Sequence, residues 1–365
     1  MLLTLSAALL PLLLQAQPAA DPAPIPEVLT AVPTRDAKVV RRWNLPGDPH
    51  GIAIGPDGTL YVGLAQPQAV VAIDPKTGAV KRRLVLDSAE IASTKELVTL
   101  RTSRDGSRLY IANGSDESTT ILGLPDLRVL REITTEGETI RDAVPDPKGR
   151  YLYLLGRRVR VYDAAGEKEI KTIEFADPTA IAASANGSFL AVFGPEDFGN
   201  TKATVVALYD TATFQEVRRD PLQTDEAVET ALFAAQDRAL VAVSRDHLFE
   251  KPVTLSTKTM TSAGAGQMRM SIDYGDLVNS DHICLPEKSG AQIATLGPSD
   301  YVLFAERRCA VSGAFSGSSR RITPVALYGV DAYAVAFDGA SSTLVATDRN
   351  GYLTIYKVPR PAIMK

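Results

Sequence analysis

The chain carries three histidines, His50, His247 and His282, and two cysteines, Cys284 and Cys309. That is a small stock for acid–base or nucleophilic chemistry. His50, in Pro49-His50-Gly51, is a candidate general base, or a side chain that caps a turn. His247, in SRDHLFEKP, is expected in a solvated loop. Asp281, His282 and Glu287 put carboxylates beside an imidazole, but their spacing matches no metal-ligand pattern. The nucleophile elbow G-x-S-x-G and the pair C-x-x-C are both absent. Gly264-Ala265-Gly266 neither follows a strand nor opens a helix, so it is no dinucleotide fingerprint. Asn113 and Asn186 each start an Asn-Gly-Ser triplet, where turn formation is a simpler account than glycosylation. No motif brings a nucleophile, a base and an orienting group together.

The elements that must position these residues are repeats. PHGIAIGPDGTLYVGL from Pro49, LVTLRTSRDGSRLYIAN from Leu97, IRDAVPDPKGRYLYLLG from Ile140 and PTAIAASANGSFLAVFG from Pro178 share one plan. Each is a short apolar strand, a polar turn, and a second strand. The turns, Asp57-Gly58, Asp105-Gly106, Lys148-Gly149 and Asn186-Gly187, supply the positive φ that a tight hairpin needs. A third strand follows from Ala69, Arg158 and Thr204, then a second turn and a fourth strand. Weaker copies start at Thr230, Ala291 and Tyr333. Helical periodicity is nearly absent. The expected fold is all-β: a seven-bladed β-propeller of four-stranded antiparallel blades. The last repeat supplies only three strands, and KVVRRWNL from Lys38 to Leu45 is a spare strand at the front. Pairing the two closes the ring and removes an open edge. Two separate β domains are the alternative, although no Pro/Gly/Ser linker divides the chain.

In such a ring the first strand of each blade lines a central channel. The equivalent positions just before each inner strand are His50, Val98, Arg141, Thr179, Glu229, Ala291 and Tyr333. Of these His50, Arg141, Thr179, Glu229 and Tyr333 form the candidate channel-mouth site for a small polar ligand, with catalysis assigned to none of them. A wet, polar mouth without a ligand is the plainer account. No cofactor is expected beyond a single divalent cation in the channel, for which the inner oxygens are few: Glu229, Asp142 and Asp331.

The pattern SRDGSRLYIAN followed by VVAIDPKTGAVKRRL resembles the YVTN-type bacterial propeller repeats, in the wider group similar to the quinoprotein amine dehydrogenase β-chain and the lactonase propellers. The resemblance covers about residues 38–358. It implies the fold more than the function, since these motifs build hairpins. Three functions follow as expectations: a non-catalytic ligand- or protein-binding scaffold first, then a lactonase-like hydrolase, then a subunit of a quinoprotein dehydrogenase complex. WD40 repeats are disfavoured by the single Trp, Trp43, and Kelch repeats by the absence of a Gly-Gly doublet.

Residues 1–20 read as a signal peptide, with an apolar run too short to span a bilayer and small residues after it. A Pro/Ala-rich linker, 21–37, follows, and a tail of 359–365 ends the chain. The protein is therefore expected in the periplasm or outside the cell, with no transmembrane segment after processing. Two cysteines in an exported chain suggest a Cys284–Cys309 disulfide, against two buried thiols. With 39 Lys and Arg against 43 Asp and Glu, the net charge of -4 disfavours nucleic acid as a partner. Hydrophobic residues at 45% and charged residues at 22% exclude a disordered chain. Long insertions are expected at Ser244–Gly290, at Arg307–Pro324 and at GPEDFGNTKA from Gly194. Such loops are where a partner would bind.

Overall fold

The computed structural model describes residues 24–86, 99–112, 117–199, 202–222, 227–234, 239–244, 247–252, 269–273, 292–295, 301–306, 309–316, 321–329, 332–338, 341–348 and 350–357. Among them every regular element is a strand, and the strands form seven antiparallel sheets. The first sheet runs β3 (Pro49–Ile54), β4 (Leu60–Ala65), β5 (Gln68–Ile73), β6 (Val80–Val85). The second runs β7 (Thr99–Thr102), β8 (Arg108–Ala112), β9 (Ser118–Gly123), β10 (Arg128–Thr134). The third is β11 (Asp142–Pro145), β12 (Tyr151–Leu155), β13 (Val159–Asp163), β14 (Glu169–Ile173), and the fourth β15 (Ala180–Ala183), β16 (Phe189–Asp197), β17 (Lys202–Asp210), β18 (Glu216–Pro221). The fifth is β19 (Val228–Ala234), β20 (Ala239–Ser244), β21 (His247–Pro252), β22 (Arg269–Asp273), and the sixth β23 (Gln292–Thr295), β24 (Tyr301–Glu306), β25 (Cys309–Ser316), β26 (Arg321–Gly329). The seventh joins the two ends of the chain: β27 (Ala332–Asp338), β28 (Thr343–Asp348), β29 (Tyr352–Lys357), then β2 (Val39–Asn44) and β1 (Thr30–Ala31).

The four clear hairpin turns share one chemistry. Gly58, Gly106, Gly149 and Gly187 all have positive φ. Each donates its N–H three residues back, to Gly55, Ser103, Asp146 and Ser184. The residue before the glycine often ties the turn down: Asp57 accepts from the N–H and hydroxyl of Thr59, and Asn186 accepts from the N–H of Ser188. That bond places Asn186 in the turn role expected for it.

Middle strands such as β4, β5, β8 and β9 are buried along nearly their whole length, whereas β6 and β10 are mostly exposed. The middle strands therefore read as continuous apolar runs, with a neighbouring sheet on each face. The core lies between the sheets. Ala53, Tyr61, Leu109 and Leu122 fill the gap between the first and second. Tyr153, Val161, Val192 and Val205 fill that between the third and fourth. Trp43, Leu45, Leu60, Val345 and Leu353 join the seventh to the first. The innermost strands neighbour one another in the order β3, β7, β11, β15, β19, β23, β27 and back to β3.

Within the stretch 21–37, Ile25 and Leu29 are buried in the same cluster as Trp43, so the segment does more than space two parts. Leu29 donates its N–H to Gly78, Val80 donates to Glu27, and β1 pairs with β2. The prolines of this stretch suit an extended chain, and the aliphatic side chains between them give it a face to bury.

The described parts of the three expected insertions are mostly strands. Residues 247–252 and 269–273 complete the fifth sheet, so His247 opens a strand and is not a loop residue. Cys309–Ser316 and Arg321–Gly329 pair in the sixth sheet. Their Ser, Gly and Arg content suggested a loop, but a ladder accepts small residues where neighbours supply the packing. Pro324 stands opposite Gly313 beside a register shift on the outermost strand, a position that needs no N–H. At Gly194 the expected loop is a lengthened hairpin, paired as far as Asp197 with Lys202. Residues 1–20 and 359–365, Cys284, the Asp281, His282 and Glu287 group, and Asp331 lie outside the described residues, as does the Cys309 side chain. No helix among the described residues is long and apolar enough to cross a membrane.

Candidate functional site

The five described positions of the expected set fall at the same end of their inner strands. Arg141 and Thr179 immediately precede β11 and β15, while Val98 and Ala291 lie outside the described residues. His50, Glu229 and Tyr333 are the second residues of β3, β19 and β27, and in each of these three strands the ladder shifts register across that residue. A bulge of this kind adds one residue and re-aims its side chain. The backbone thus carries these five to one rim. The side chains of Glu229 and Tyr333 lie outside the described residues.

His50 is buried, with a side chain only 6% exposed, and its Nε2 lies 3.1 Å from Asp48 Oδ2. Asp48 has a φ of 55°, so a non-glycine residue holds a left-handed conformation there. The carbonyl of His50 accepts a 2.6 Å hydrogen bond from the Thr347 hydroxyl, which ties β28 to β3. His50 therefore has a carboxylate to orient its ring, one part of a base-and-orienter pair. Spacing hid Asp48, because the acid precedes the strand in the turn Gly47-Asp48-Pro49.

Arg141 reaches the loop before β15. Its Nη2 donates to the carbonyl of Gly156 at 2.9 Å and to that of Pro178. Thr179, the next residue, donates its N–H to the Phe193 carbonyl at 2.7 Å. The structure thus brings Arg141 beside Thr179. Burial pushes the Arg141 guanidinium below its usual range, only partly offset by Asp177 and Glu138.

Arg101, outside the expected set, joins this side of the rim. Arg101 on β7 donates Nε to Asp142 Oδ1 at 2.9 Å and Nη2 to Asp142 Oδ2 at 2.7 Å. Burial works against the charge on Arg101, but Asp142 outweighs it and holds the arginine above its ordinary value. Asp142, expected as an oxygen donor for a cation, is committed to this pair. Below Arg141, buried Glu138 accepts from the Arg158 N–H at 3.0 Å and from Arg160 Nε at 2.9 Å. Among the described residues no group of three His, Cys, Asp or Glu is gathered as a metal site would require. Arg101 escaped the sequence analysis because it lies two residues inside its strand, beyond the one position compared per repeat.

No protein-family model matches the chain, and no curated protein matches its sequence. Solved structures do. The β-propeller domain of Cps50 (Swd1) from Myceliophteria thermophila superposes with a TM-score of 0.66 at 16% identity, covering 92% of this chain and 100% of that one. Hydrazine synthase from Kuenenia stuttgartiensis gives 0.64 at 14%, over 86% and 96%. A chain of the mitotic checkpoint complex gives 0.65 at 14%, over 90% and 98%. At such identities the likeness shows the fold, which is a β-propeller, and no function.

Proposed function

We propose that the chain is an exported, seven-bladed propeller closed by its N-terminal strand, and that it acts as a non-catalytic binding scaffold. Its blades are taken to be of the YVTN, quinoprotein-like kind, on the repeat pattern alone. Seven sheets among the described residues and the β2–β29 ladder support the blade count and the closure. Export rests on the apolar run before residue 20, and with it the Cys284–Cys309 disulfide. Titrating the denatured protein for thiols tests that pair, and two free thiols would remove it.

One observation carries the binding role. The described polar side chains of the rim are engaged in structural bonds: Arg101 with Asp142, Arg141 with two carbonyls, and His50 with Asp48. Such a rim is rigid and pre-organised for recognition. The ligand is a small polar molecule or a protein partner, and nucleic acid is not among the candidates. The lactonase-like alternative draws on the His50–Asp48 pair, with a divalent cation in the channel as its cofactor. The dehydrogenase-subunit alternative needs partner chains that carry the redox centre.

The test is turnover beside association. The purified full chain is assayed against a set of lactones, with and without added divalent cations, and native mass spectrometry is run on the protein isolated from its cell envelope. The scaffold reading expects no hydrolysis above buffer, together with a stoichiometric partner or ligand that is lost on changing Thr179→Ala. Hydrolysis abolished in His50→Ala would overturn it in favour of the hydrolase.

A further inference from the structure

We propose that Arg141 forms the anion-binding corner of the channel mouth, and that it takes the carboxylate of a small organic acid. This rests on the mouth being the binding face, and it names the class of ligand. Several arginines elsewhere in the molecule are closely matched to acids. Arg42, Arg101, Arg150, Arg160 and Arg219 each hold a carboxylate oxygen between 2.6 and 3.3 Å. Arg141 does not. The one acid paired with it among the described residues is Asp177, at 3.8 Å, and Asp177 is 76% exposed. Water screens so exposed a charge, and at that distance no hydrogen bond forms.

The guanidinium is nevertheless held firmly. Both carbonyl bonds go to Nη2, which leaves Nε and Nη1 without an acceptor among the described residues. The side chain is 39% exposed, so these donors can meet a ligand from solution. A fixed, half-buried cation with open donors and a poorly matched countercharge is an anion site. Burial depresses Arg141, whereas the arginines at 101, 150, 160 and 219 are raised by their acids.

The surroundings choose the anion. Asp142 follows Arg141 in the chain, Asp177 lies in the facing loop, and the Glu138 charge also acts on Arg141. Arg101 already holds Asp142 and Arg160 holds Glu138, so Arg141 offers one cation beside the Asp177 carboxylate, enough for a single negative charge and not for two. A monocarboxylate fits, and a phosphate dianion does not. The remainder of the ligand would lie toward Thr179, the residue after the carbonyl that Arg141 holds.

The test titrates the full chain with benzoate, with benzamide as its neutral analogue, and with inorganic phosphate at a pH where it is a dianion. Ligand-observed NMR or calorimetry gives the affinities. Benzoate should bind more tightly than benzamide or phosphate. Arg141→Gln should weaken benzoate by ~10-fold or more and leave benzamide unchanged. Asp177→Asn, an exposed change that leaves the fold intact, should tighten benzoate by ~3-fold, because it removes a competing charge. Benzoate bound equally by the wild type and Arg141→Gln, or unaffected by Asp177→Asn, overturns the assignment. So does tighter binding of phosphate, or no binding of benzoate at all. Benzamide binding that is sensitive to Thr179→Ala, without any benzoate preference, would sink this corner while keeping the mouth as the binding face. Hydrolysis of lactones would sink the scaffold reading and leave the anion corner standing.

Discussion

Arg101 and Asp142 form a two-pronged ion pair between the innermost strands of the second and third sheets, with both contacts at 2.9 Å or less. Asp142 is 14% exposed and Arg101 is 38% exposed, so the pair sits at the edge of solvent. It joins residues 41 apart in the chain and so fixes how two neighbouring sheets meet.

Asp142→Ala should therefore cost about 1–2 kcal/mol, the lower part of the range for a charged hydrogen bond because Arg101 reaches water. The measurement is the urea midpoint of Asp142→Ala, Arg101→Met and the double variant. Coupling between the two sites supports a real pair. Strict additivity would show that the contact contributes nothing to stability.

Gly78 lies in the turn after β5 with a φ of 73°, and a Cβ there would stand 2.9 Å from the Trp43 ring. Gly78→Ala should cost about 2–4 kcal/mol, combining the left-handed backbone with overpacking. Gly58→Ala has a φ of 80° and meets nothing within 4 Å, so it should cost only about 1–2 kcal/mol. The difference in thermal midpoints isolates the Trp43 contact, and equal losses would mean that Trp43 moves aside freely.

Much of this fold is legible in the sequence, because turn chemistry is local. The glycines at 58, 106, 149 and 187 mark hairpins by residue type alone, and the apolar runs beside them mark strands buried on both faces. The site is less legible, because its bonds run between repeats. Arg101 and Asp142 belong to different copies of the pattern, and nothing within either copy points to the other. The rim position of Arg141 is readable from the alignment of repeats, but its two carbonyl partners are not, since backbone acceptors carry no sequence signature. Ile25 and Leu29 were obscured by the prolines around them, although aliphatic residues set four apart in an extended stretch can be read as a face to bury.

Asp105 and Glu216 respond to pH with the opposite sign to Asp348. Backbone and side-chain hydrogen bonds hold Asp105 below its ordinary value, and the Arg219 bond does the same for Glu216. These groups bind protons more weakly when folded, so the stability they add is present above the ordinary carboxylate values and is lost as pH falls. Asp348 is the reverse. Burial raises it above 3.8, although the Tyr352 and Asn350 N–H groups and Arg42 oppose the rise. Acidification through its folded value therefore favours the native state at this one site. Asp348→Asn should steepen the loss of stability as pH falls through the carboxylate range, as followed by urea unfolding in steps of pH. An unchanged slope would show that the Asp348 shift is absent.

Gly156 links the buried acid network to the rim. Its carbonyl accepts from Arg141, while a Cβ at its α-carbon would lie 2.5 Å from Glu138 Oε1. That oxygen accepts the Arg158 N–H, and its partner oxygen holds Arg160. Gly156→Ala must displace either the carboxylate or the turn that carries the carbonyl. The first loosens two buried hydrogen bonds, and the second loosens Arg141. A loss of about 2–4 kcal/mol follows from overpacking together with an acceptor pulled from its donors. Glu138→Ala in the Gly156→Ala background separates the two routes. If the carboxylate is what moves, the double variant loses much less than the sum of the single losses, since the obstacle is already gone. Additive losses would place the strain in the turn, and Arg141 would then be the group to report it.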